Sequence, residues 1–397
     1  MPTLAVAALS ARLLAQSARR AGWTVIALDL FGDIDTRAAA DEWHPIGDPA
    51  TLRVDRNLLL AALEDARKHA DCLGWIAGAG FEPCHDVLAA GARVLPLLGN
   101  DRATLDRVRD ARIFFAALDQ LGVPHPPTRF DAPDETSGWL VKDFASSGGW
   151  RVRPASAAHD NTGGRGIHFQ RQGSGRPMSV LFVADCERAV ALGFNELLVR
   201  AHGAWPFVYR GVVGPVGDVA PAVAHDLYGV LDDLVRTFEL RGLGSLDFLL
   251  DDNTFSVLEI NPRPSASMAL YETAATRGLL EWHVDACKGR LPASTIGAMQ
   301  PRGELVVYAD RELVVTFEEV QRLMRLGCRD LPQPQSHVAA GAPLCSVSAL
   351  GDSARAVREL LAQRERAVLS VVQNRSETLR NDIHRNESHH NETPHAG

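Results

Sequence analysis

The stretch 246–263 constrains the fold more than any other part of the chain. It reads Leu246-Asp247-Phe248-Leu249-Leu250-Asp251-Asp252-Asn253-Thr254-Phe255-Ser256-Val257-Leu258-Glu259-Ile260-Asn261-Pro262-Arg263. Two apolar runs flank a polar turn at 251–254, the pattern of a hairpin. Glu259 and Asn261 lie two apart, so in a strand they share a face. An odd-numbered loop, such as 252–254, sets Asp247 directly opposite Glu259. An even-numbered loop puts the two on opposite faces, because register alternates with period two. The sequence leaves both registers open. Asp, Glu and Asn on one face offer only oxygen donors, which suits Mg²⁺ beside substrate phosphates. A carboxylate inside Val-Leu-Glu-Ile-Asn also needs a reason to be tolerated in a buried strand. The plain alternative is a hairpin with that face in water.

A second segment carries similar tension. In Trp139-Leu140-Val141-Lys142-Asp143-Phe144-Ala145-Ser146-Ser147-Gly148-Gly149-Trp150, a lysine closes an apolar strand and a Ser/Gly-rich loop follows. Lysine there can act as a point charge on phosphates, and glycine-rich backbone N–H groups can wrap phosphate oxygens. The segment is not a P-loop, since no G-x-x-x-x-G-K-[ST] is present. Thr162-Gly163-Gly164-Arg165-Gly166 reads as a hairpin turn, with a second flexible loop as the alternative.

Residues 1–99 alternate strand and helix signals, with strands expected at 4–9, 23–30 and 72–77. Helices are expected at 11–21 and 58–69, with another ending near 87–91. That order argues for a parallel sheet with helices on both faces and a site at the carboxyl ends of its strands. Ser10-Ala11-Arg12 and Asp29-Leu30-Phe31-Gly32-Asp33 emerge there, although no G-x-G-x-x-G accompanies them. A helix is expected over 104–121, ended by Gly122, with 123–127 as an extended connector. Strands at 139–142, 166–170, 179–184, 207–213, 245–250 and 255–260, with a helix at 222–238, give this region an α+β character. Short strands and helices return from 303. The polar residues 373–397, with His384, His389, His390 and His395, read as a disordered tail.

Composition excludes several classes. The chain has 397 residues, with 41 Lys and Arg against 49 Asp and Glu, a formal charge of −8. It lacks the basic footprint of a nucleic-acid binder. No run reaches the ~18 apolar residues of a membrane helix. The apolar start lacks a basic n-region and reads as a first strand rather than a signal peptide. The six cysteines are scattered without C-x-x-C, which fits reduced thiols and a cytoplasmic location. The Asn-x-Ser/Thr sites at Asn374, Asn386 and Asn391 are then chance matches.

A Lys-ended strand with a glycine loop, followed about a hundred residues later by an Asp-bearing strand and Glu-Ile-Asn-Pro-Arg, resembles the ATP-grasp superfamily. Ser10-Ala11-Arg12, Asp29-Leu30-Phe31-Gly32-Asp33, Gly80-Phe81-Glu82 and Leu98-Gly99-Asn100 resemble the carboligase-like, biotin-carboxylase-related branch. The resemblance implies an ATP-grasp fold of mixed α/β and α+β character. Its parts would be a parallel α/β domain at 1–99, an ATP-grasp domain at 100–300 with a lid at about 128–185, and a small C-terminal segment at 301–372.

The resemblance also implies an ATP- and Mg²⁺-dependent carboxylate–amine ligase working through an acyl phosphate. Lys142 would contact the α/β phosphates, and Ser146, Ser147, Gly148 and Gly149 would form the mobile phosphate loop. Phe169 and Gln170 would approach the adenine hinge. Asp247, Glu259 and Asn261 would hold Mg²⁺, and Arg263 would steady the transferring phosphoryl group. Arg12 and the helix start after Ser10 would seat a substrate carboxylate. Small-molecule carboxylates and amines, a glutamate-like amino acid first, are the expected partners, with neither nucleic acid nor membrane, and a homodimer is compatible. Such relatives accompany tetrahydromethanopterin- and methanofuran-linked one-carbon metabolism, which points to cofactor biosynthesis. Carboxylation through carboxyphosphate, a small-molecule kinase and a non-catalytic nucleotide binder are the alternatives. Many ATP-grasp proteins carry an extra lysine before the first strand of the domain, where this chain offers Arg107, Arg109 and Arg112. Trp150 stands where a small or polar residue is usual.

Overall fold

The computed structural model describes residues 1–143, 146–157, 166–293 and 296–373. The expected tail beyond Gln373, its histidines, the three Asn-x-Ser/Thr sites and 162–165 of the second glycine turn lie outside the described residues.

The strands Thr3–Ala7, Thr24–Asp29, Glu42–Pro45 and Cys72–Ala77 form a parallel sheet with Thr3–Ala7 between Thr24–Asp29 and Cys72–Ala77. Side chains alternate across a strand, and here both faces are covered. Leu4 and Val6 pack with Leu14, Ala15 and Ala18 of the helix Arg12–Arg20. Ala5 and Ala7 pack with Leu59 and Leu63 of Arg56–Ala66 and Leu88 of His85–Val94. Asp55 starts the helix Arg56–Ala66 by accepting from the N–H groups of Asn57 and Leu58, which removes two orphan donors. The doubly covered sheet accounts for the apolar runs read from the sequence.

The helix expected over 104–121 is two helices, Arg102–Val108 and Ala111–Leu121. Asp110 caps the second, accepting from the N–H groups of Arg112 and Ile113, and Gly122 ends it at φ 67°. Phe114 and Phe115 of this helix, with Leu231, Leu234 and Phe238 of Pro221–Phe238, pack on one face of a seven-stranded antiparallel sheet. The opposite face carries Leu181, Val183 and Leu243 against Leu279, Leu280 and Val284 of the helix Leu279–Ala286 and the core of the N-terminal domain.

The order in that sheet is Thr254–Asn261, Arg241–Asp251, Arg176–Asp185, Ala189–His202, Trp205–Gly214, Arg302–Tyr308, Pro343–Leu350. The segment 301–372 lends two strands to the large sheet. The helix Ala354–Gln373 covers those strands through Val357, Leu361 and Val368. A separate four-stranded sheet joins Thr128–Arg129, Trp139–Asp143, Arg153–Pro154 and Ile167–Arg171. The range of about 128–185 expected for a lid includes Arg176–Asp185, which belongs to the large sheet. All six cysteines are free thiols. No described helix is long and apolar enough to cross a membrane.

Candidate active site

The hairpin is built from Arg241–Asp251 and Thr254–Asn261, with Asp251 opposite Thr254 and a two-residue loop of Asp252 and Asn253. That even-numbered loop alone would put Leu258 opposite Asp247. A bulge between the Phe248–Val257 pair and the Asp247–Glu259 pair absorbs Leu258 and sets Asp247 directly opposite Glu259. Of the two registers left open by the sequence, the one with Asp247 opposite Glu259 is present, but with the even-numbered loop that alone would give the other, because the bulge shifts the register. The same extra residue lets Val257 and Ile260, three apart, both enter the apolar core. Bulges commonly re-aim side chains beside active sites.

Asn261 donates to Asp247 Oδ2 at 3.2 Å, so the three candidate metal ligands form one group. Burial, then the charge of Glu259, pushes the Asp247 carboxyl up to about 8, against the pull of Arg263, Asn261 and Arg109. Two carboxylates forced together in this way are what a divalent cation relieves. No group of three His, Cys, Asp or Glu side chains forms a metal set among the described residues. Two carboxylates and an amide oxygen fit Mg²⁺ that shares its remaining positions with waters and phosphates, and do not suit a closed zinc site.

Lys142 projects from Trp139–Asp143 and donates from Nζ to Gln170 Oε1 at 2.6 Å. Gln170 is buried and donates in turn to Thr128 Oγ1 at 3.2 Å. Burial holds the Lys142 ammonium below its ordinary range, and the charges of Glu259 and Asp247 counter this. Lys142 of the separate four-stranded sheet and the two carboxylates of the large sheet thus lie within reach of one another's charge. Phe169, beside Gln170, pairs with Val141 and Arg129 within the same four-stranded sheet.

The glycine loop lies against the large sheet. Tyr209 N–H donates to the Gly148 carbonyl at 2.8 Å. Gly149 sits at φ 74°, and a Cβ there would stand 1.9 Å from the Phe207 carbonyl oxygen, so only glycine fits. Ser146 Oγ lies 2.8 and 2.6 Å from the carbonyls of Asp143 and Trp150 within the loop, its single proton serving one of them at a time. Ser147 closes a turn by accepting from the Trp150 N–H at 3.3 Å. Trp150 packs edge-on against His202, with ring centroids 5.2 Å apart.

Two residues central to the site carried no expected role. Arg109 lies in the break between the two helices, buried. It donates from Nη2 to the Ser146 carbonyl at 2.7 Å, and its Nη1 is 3.5 Å from Glu259 Oε2. Asp110, a good capping residue inside a helical pattern, was the available signal for that break. Glu82 holds Arg263: Arg263 Nε donates to Glu82 Oε1 at 2.6 Å, and Nη2 reaches the same oxygen at 2.5 Å. Burial would raise the Glu82 carboxyl, yet Arg263 and Arg109, with backbone N–H groups, hold it below its ordinary range. Asn100 fixes the loop behind Arg263, donating to the carbonyls of Arg241 and Pro262 at 2.9 Å each and accepting from Arg241 N–H at 2.9 Å.

The remaining expected substrate residues lie elsewhere. Arg12 is buried and forms a two-point pair with Asp330, Nε to Oδ1 at 2.7 Å and Nη2 to Oδ2 at 3.1 Å. Its guanidinium fork is therefore filled from within the chain, not turned toward a substrate carboxylate. Ser10 donates to the same Asp330 at 3.2 Å and does not cap the helix. The Ala11 N–H at the helix start donates to Asp29 Oδ2 at 3.0 Å. Asp29 also accepts from Gly32 N–H and Trp43 Nε1 at 2.9 and 2.7 Å, which gives this fully buried carboxylate a structural role.

Comparison with known proteins bears on the domain and the fold. A family model described as an ATP-grasp domain matches residues 108–267. The carbamoyl phosphate synthase large chain of Thermomicrobium roseum is 26% identical over 205 residues, 46% of this chain, and the match spans only 18% of that larger protein. The biotin carboxylase of Campylobacter jejuni, solved as a β,γ-ATP complex, superposes with TM-score 0.70 at 15% identity, covering 93% of this chain and 94% of that one. The N5-carboxyaminoimidazole ribonucleotide synthetase of Thermus thermophilus superposes with TM-score 0.65 at 19% identity, covering 94% and 98%.

Proposed function

From the ATP-grasp domain that the chain carries and the ATP-grasp fold of the whole, we propose an ATP- and Mg²⁺-dependent ligase that activates a carboxylate as an acyl phosphate and passes the acyl group to an amine. The observation that carries this reading is the convergence of Lys142, Arg109 and Arg263 on the Asp247–Glu259 pair. Cations gather there in the pattern that phosphoryl transfer needs, where positioning and charge stabilisation do most of the work.

Asp247, Glu259 and Asn261 would hold Mg²⁺, which supplies neutralising charge to the β and γ phosphates. Lys142 meets the α/β phosphates, and Arg109 takes the place of the early lysine that the chain lacks. Ser146 to Gly149 lie over the phosphates and exclude water from the acyl phosphate. Arg263, held by Glu82, orients the carboxylate as it attacks the γ phosphorus and then steadies the acyl phosphate. A cavity beside Arg263, lined also by Glu82, His85 and Asn100, receives the amine. Glutamate-like amino acids are the first carboxylates to try, in keeping with a role in cofactor synthesis. The names of two structural neighbours, a carboxylase and a carboxyaminoimidazole-forming synthetase, favour bicarbonate as the second candidate.

Two measurements test the reading. Mg-ATP is expected to raise the melting temperature of the wild type and to fail with Lys142→Ala or Glu259→Gln. A panel of amino acids, other carboxylates and bicarbonate is then supplied with ATP, Mg²⁺ and hydroxylamine. Hydroxamate formation, or phosphate release with bicarbonate, identifies the activated carboxylate. Absence of both a thermal shift and turnover at millimolar ATP refutes the ligase.

A further inference from the structure

A cavity of about 30 Å³ lies between the N-terminal domain and the loop that carries Arg263, with Glu82, His85, Asn100, Arg109, Arg263 and His283 on its wall. A space of this size holds one or two waters, or the amino end of a larger molecule. The two histidines on the wall differ in one respect. His283 spends both ring nitrogens on backbone: Nδ1 accepts from Leu243 N–H at 2.9 Å, and Nε2 donates to the Leu98 carbonyl at 2.9 Å. It is a structural histidine, kept neutral by burial, which pushes it down to about 4.

His85 spends only one. Its Nδ1 is 2.7 Å from Asp106 Oδ1, while its Nε2 is buried with no hydrogen-bond partner. An ionised carboxylate only accepts, so Nδ1 carries a proton, and in the neutral ring Nε2 carries the lone pair. Asp106 is itself oriented by Arg102, whose Nε donates to Oδ2 at 3.1 Å. The order is therefore carboxylate, imidazole, unpartnered nitrogen, on a residue that lines the cavity that also holds Arg263. A buried nitrogen without a partner is costly to keep unless something uses it.

We propose that His85 is the general base for the acceptor amine, with Asp106 as its positioning residue. The proposal rests on the ligase reading above. An amine in water is protonated and cannot attack. Nε2 accepts one proton from the ammonium, and the imidazolium is stabilised by Asp106 through Nδ1–H. The freed nitrogen lone pair then forms the C–N bond at the acyl carbon. The C–O bond to phosphate breaks, phosphate leaves with that electron pair, and the second nitrogen proton goes to the departing phosphate. The charged groups around His85 are paired among themselves. Glu82 and Asp106 are the acids that flank it, Arg102 and Arg263 are each tied to one of them, and Asp86 is 3.4 Å from Arg56. Arg109 is committed to Glu259 and Ser146. Cys84 is kept as a neutral thiol by burial, which pushes it up to about 12.

The test uses the full chain and two nucleophiles, with the carboxylate that wild type converts to hydroxamate. Hydroxylamine is neutral near pH 7 and needs no base; ammonium does. His85→Gln is expected to lose ammonium-dependent amide formation by about 100-fold or more, while hydroxamate formation and the Mg-ATP thermal shift stay within twofold of wild type. Asp106→Asn, a change at a half-exposed side chain, is expected to displace the acid limb of the ammonium profile to lower pH, a readout that a purely structural role does not move. Equal loss with both nucleophiles in a folded His85→Gln, or no loss with either, overturns the general base and leaves the ligase standing. A wild type that makes no hydroxamate overturns both.

Discussion

Arg107, Arg109 and Arg112 follow closely along the chain, and their partners separate them. Arg107 Nη2 donates to the Thr237 carbonyl, and Nη1 is 3.6 Å from Glu239. The Arg112 guanidinium lies 4.2 Å over the Phe130 ring. Arg109 alone reaches both the glycine loop and Glu259. A charge-assisted bond to phosphate contributes about 1.5–3 kcal/mol, and 1.4 kcal/mol is tenfold in affinity. Arg109→Ala is therefore expected to weaken Mg-ATP binding about 10- to 100-fold by calorimetry, with Arg107→Ala within twofold of wild type. Equal effects from the two would remove Arg109 from the phosphate site. At this scale the sequence was informative where polarity contradicted its surroundings. Lys142, Glu259 and Asn261 each interrupt an apolar strand, and that contradiction marked them. Arg109 interrupts nothing, because a surface helix is full of arginines, and only a break in the helix turns it inward. Arg12 misled for the opposite reason: it follows a strand in a functional position, and its partner Asp330 is 318 residues away.

The break that frees Arg109 is an element-scale device. Val108 and Ala111 are buried on either side of it, and Asp110 holds the second helix by two N–H bonds, 2.8 Å to Arg112 and 3.2 Å to Ile113. Loss of such a cap costs about 0.5–2 kcal/mol. Asp110→Ala is expected to lower stability by that amount in urea titration and to weaken Mg-ATP binding, since the turn that aims Arg109 loosens. Asp110→Ser is expected to restore both, because a hydroxyl also caps. A variant that loses stability but keeps nucleotide affinity would show that the break does not position Arg109. The hairpin teaches a related lesson about legibility. Its strands and turn follow from apolar runs and polar punctuation, but register depends on one extra residue. The step from Val257 to Ile260 held the clue: two buried residues three apart do not fit strict alternation. Only the packed core shows which residue is left out of the ladder.

On the scale of the whole molecule, the first sheet and the C-terminal segment are tied by charge. Arg12 stands among Asp330, Asp35 and Glu304, at 2.7, 3.7 and 3.8 Å, and Asp35 accepts from the N–H groups of Asp330 and Leu331 at 2.9 and 3.1 Å. Asp33, also buried, is pushed up to about 8, first by burial and then by the charges of Asp330, Asp29 and Asp35. One guanidinium thus balances several acids between the two ends of the chain. Removing one partner of a buried pair costs about 3–5 kcal/mol, because the other charge stays buried alone. Arg12→Met is expected to destabilise by that amount, and Arg12→Met with Asp330→Leu to recover much of it. The pH dependence has a definite sign. Asp33 holds its proton more tightly folded than unfolded, so over the window from its ordinary value of 3.8 to about 8, raising the pH destabilises the fold through this group. Without Arg12 that repulsion grows, so the deficit of Arg12→Met is expected to shrink when urea unfolding is repeated at pH 6 instead of pH 8. A deficit that stays constant between the two would mean that Arg12 does not act through Asp33. If Arg12 instead seated a substrate carboxylate, its loss would impair turnover and leave stability near that of wild type, so stability and activity together separate a tie between domains from a binding residue.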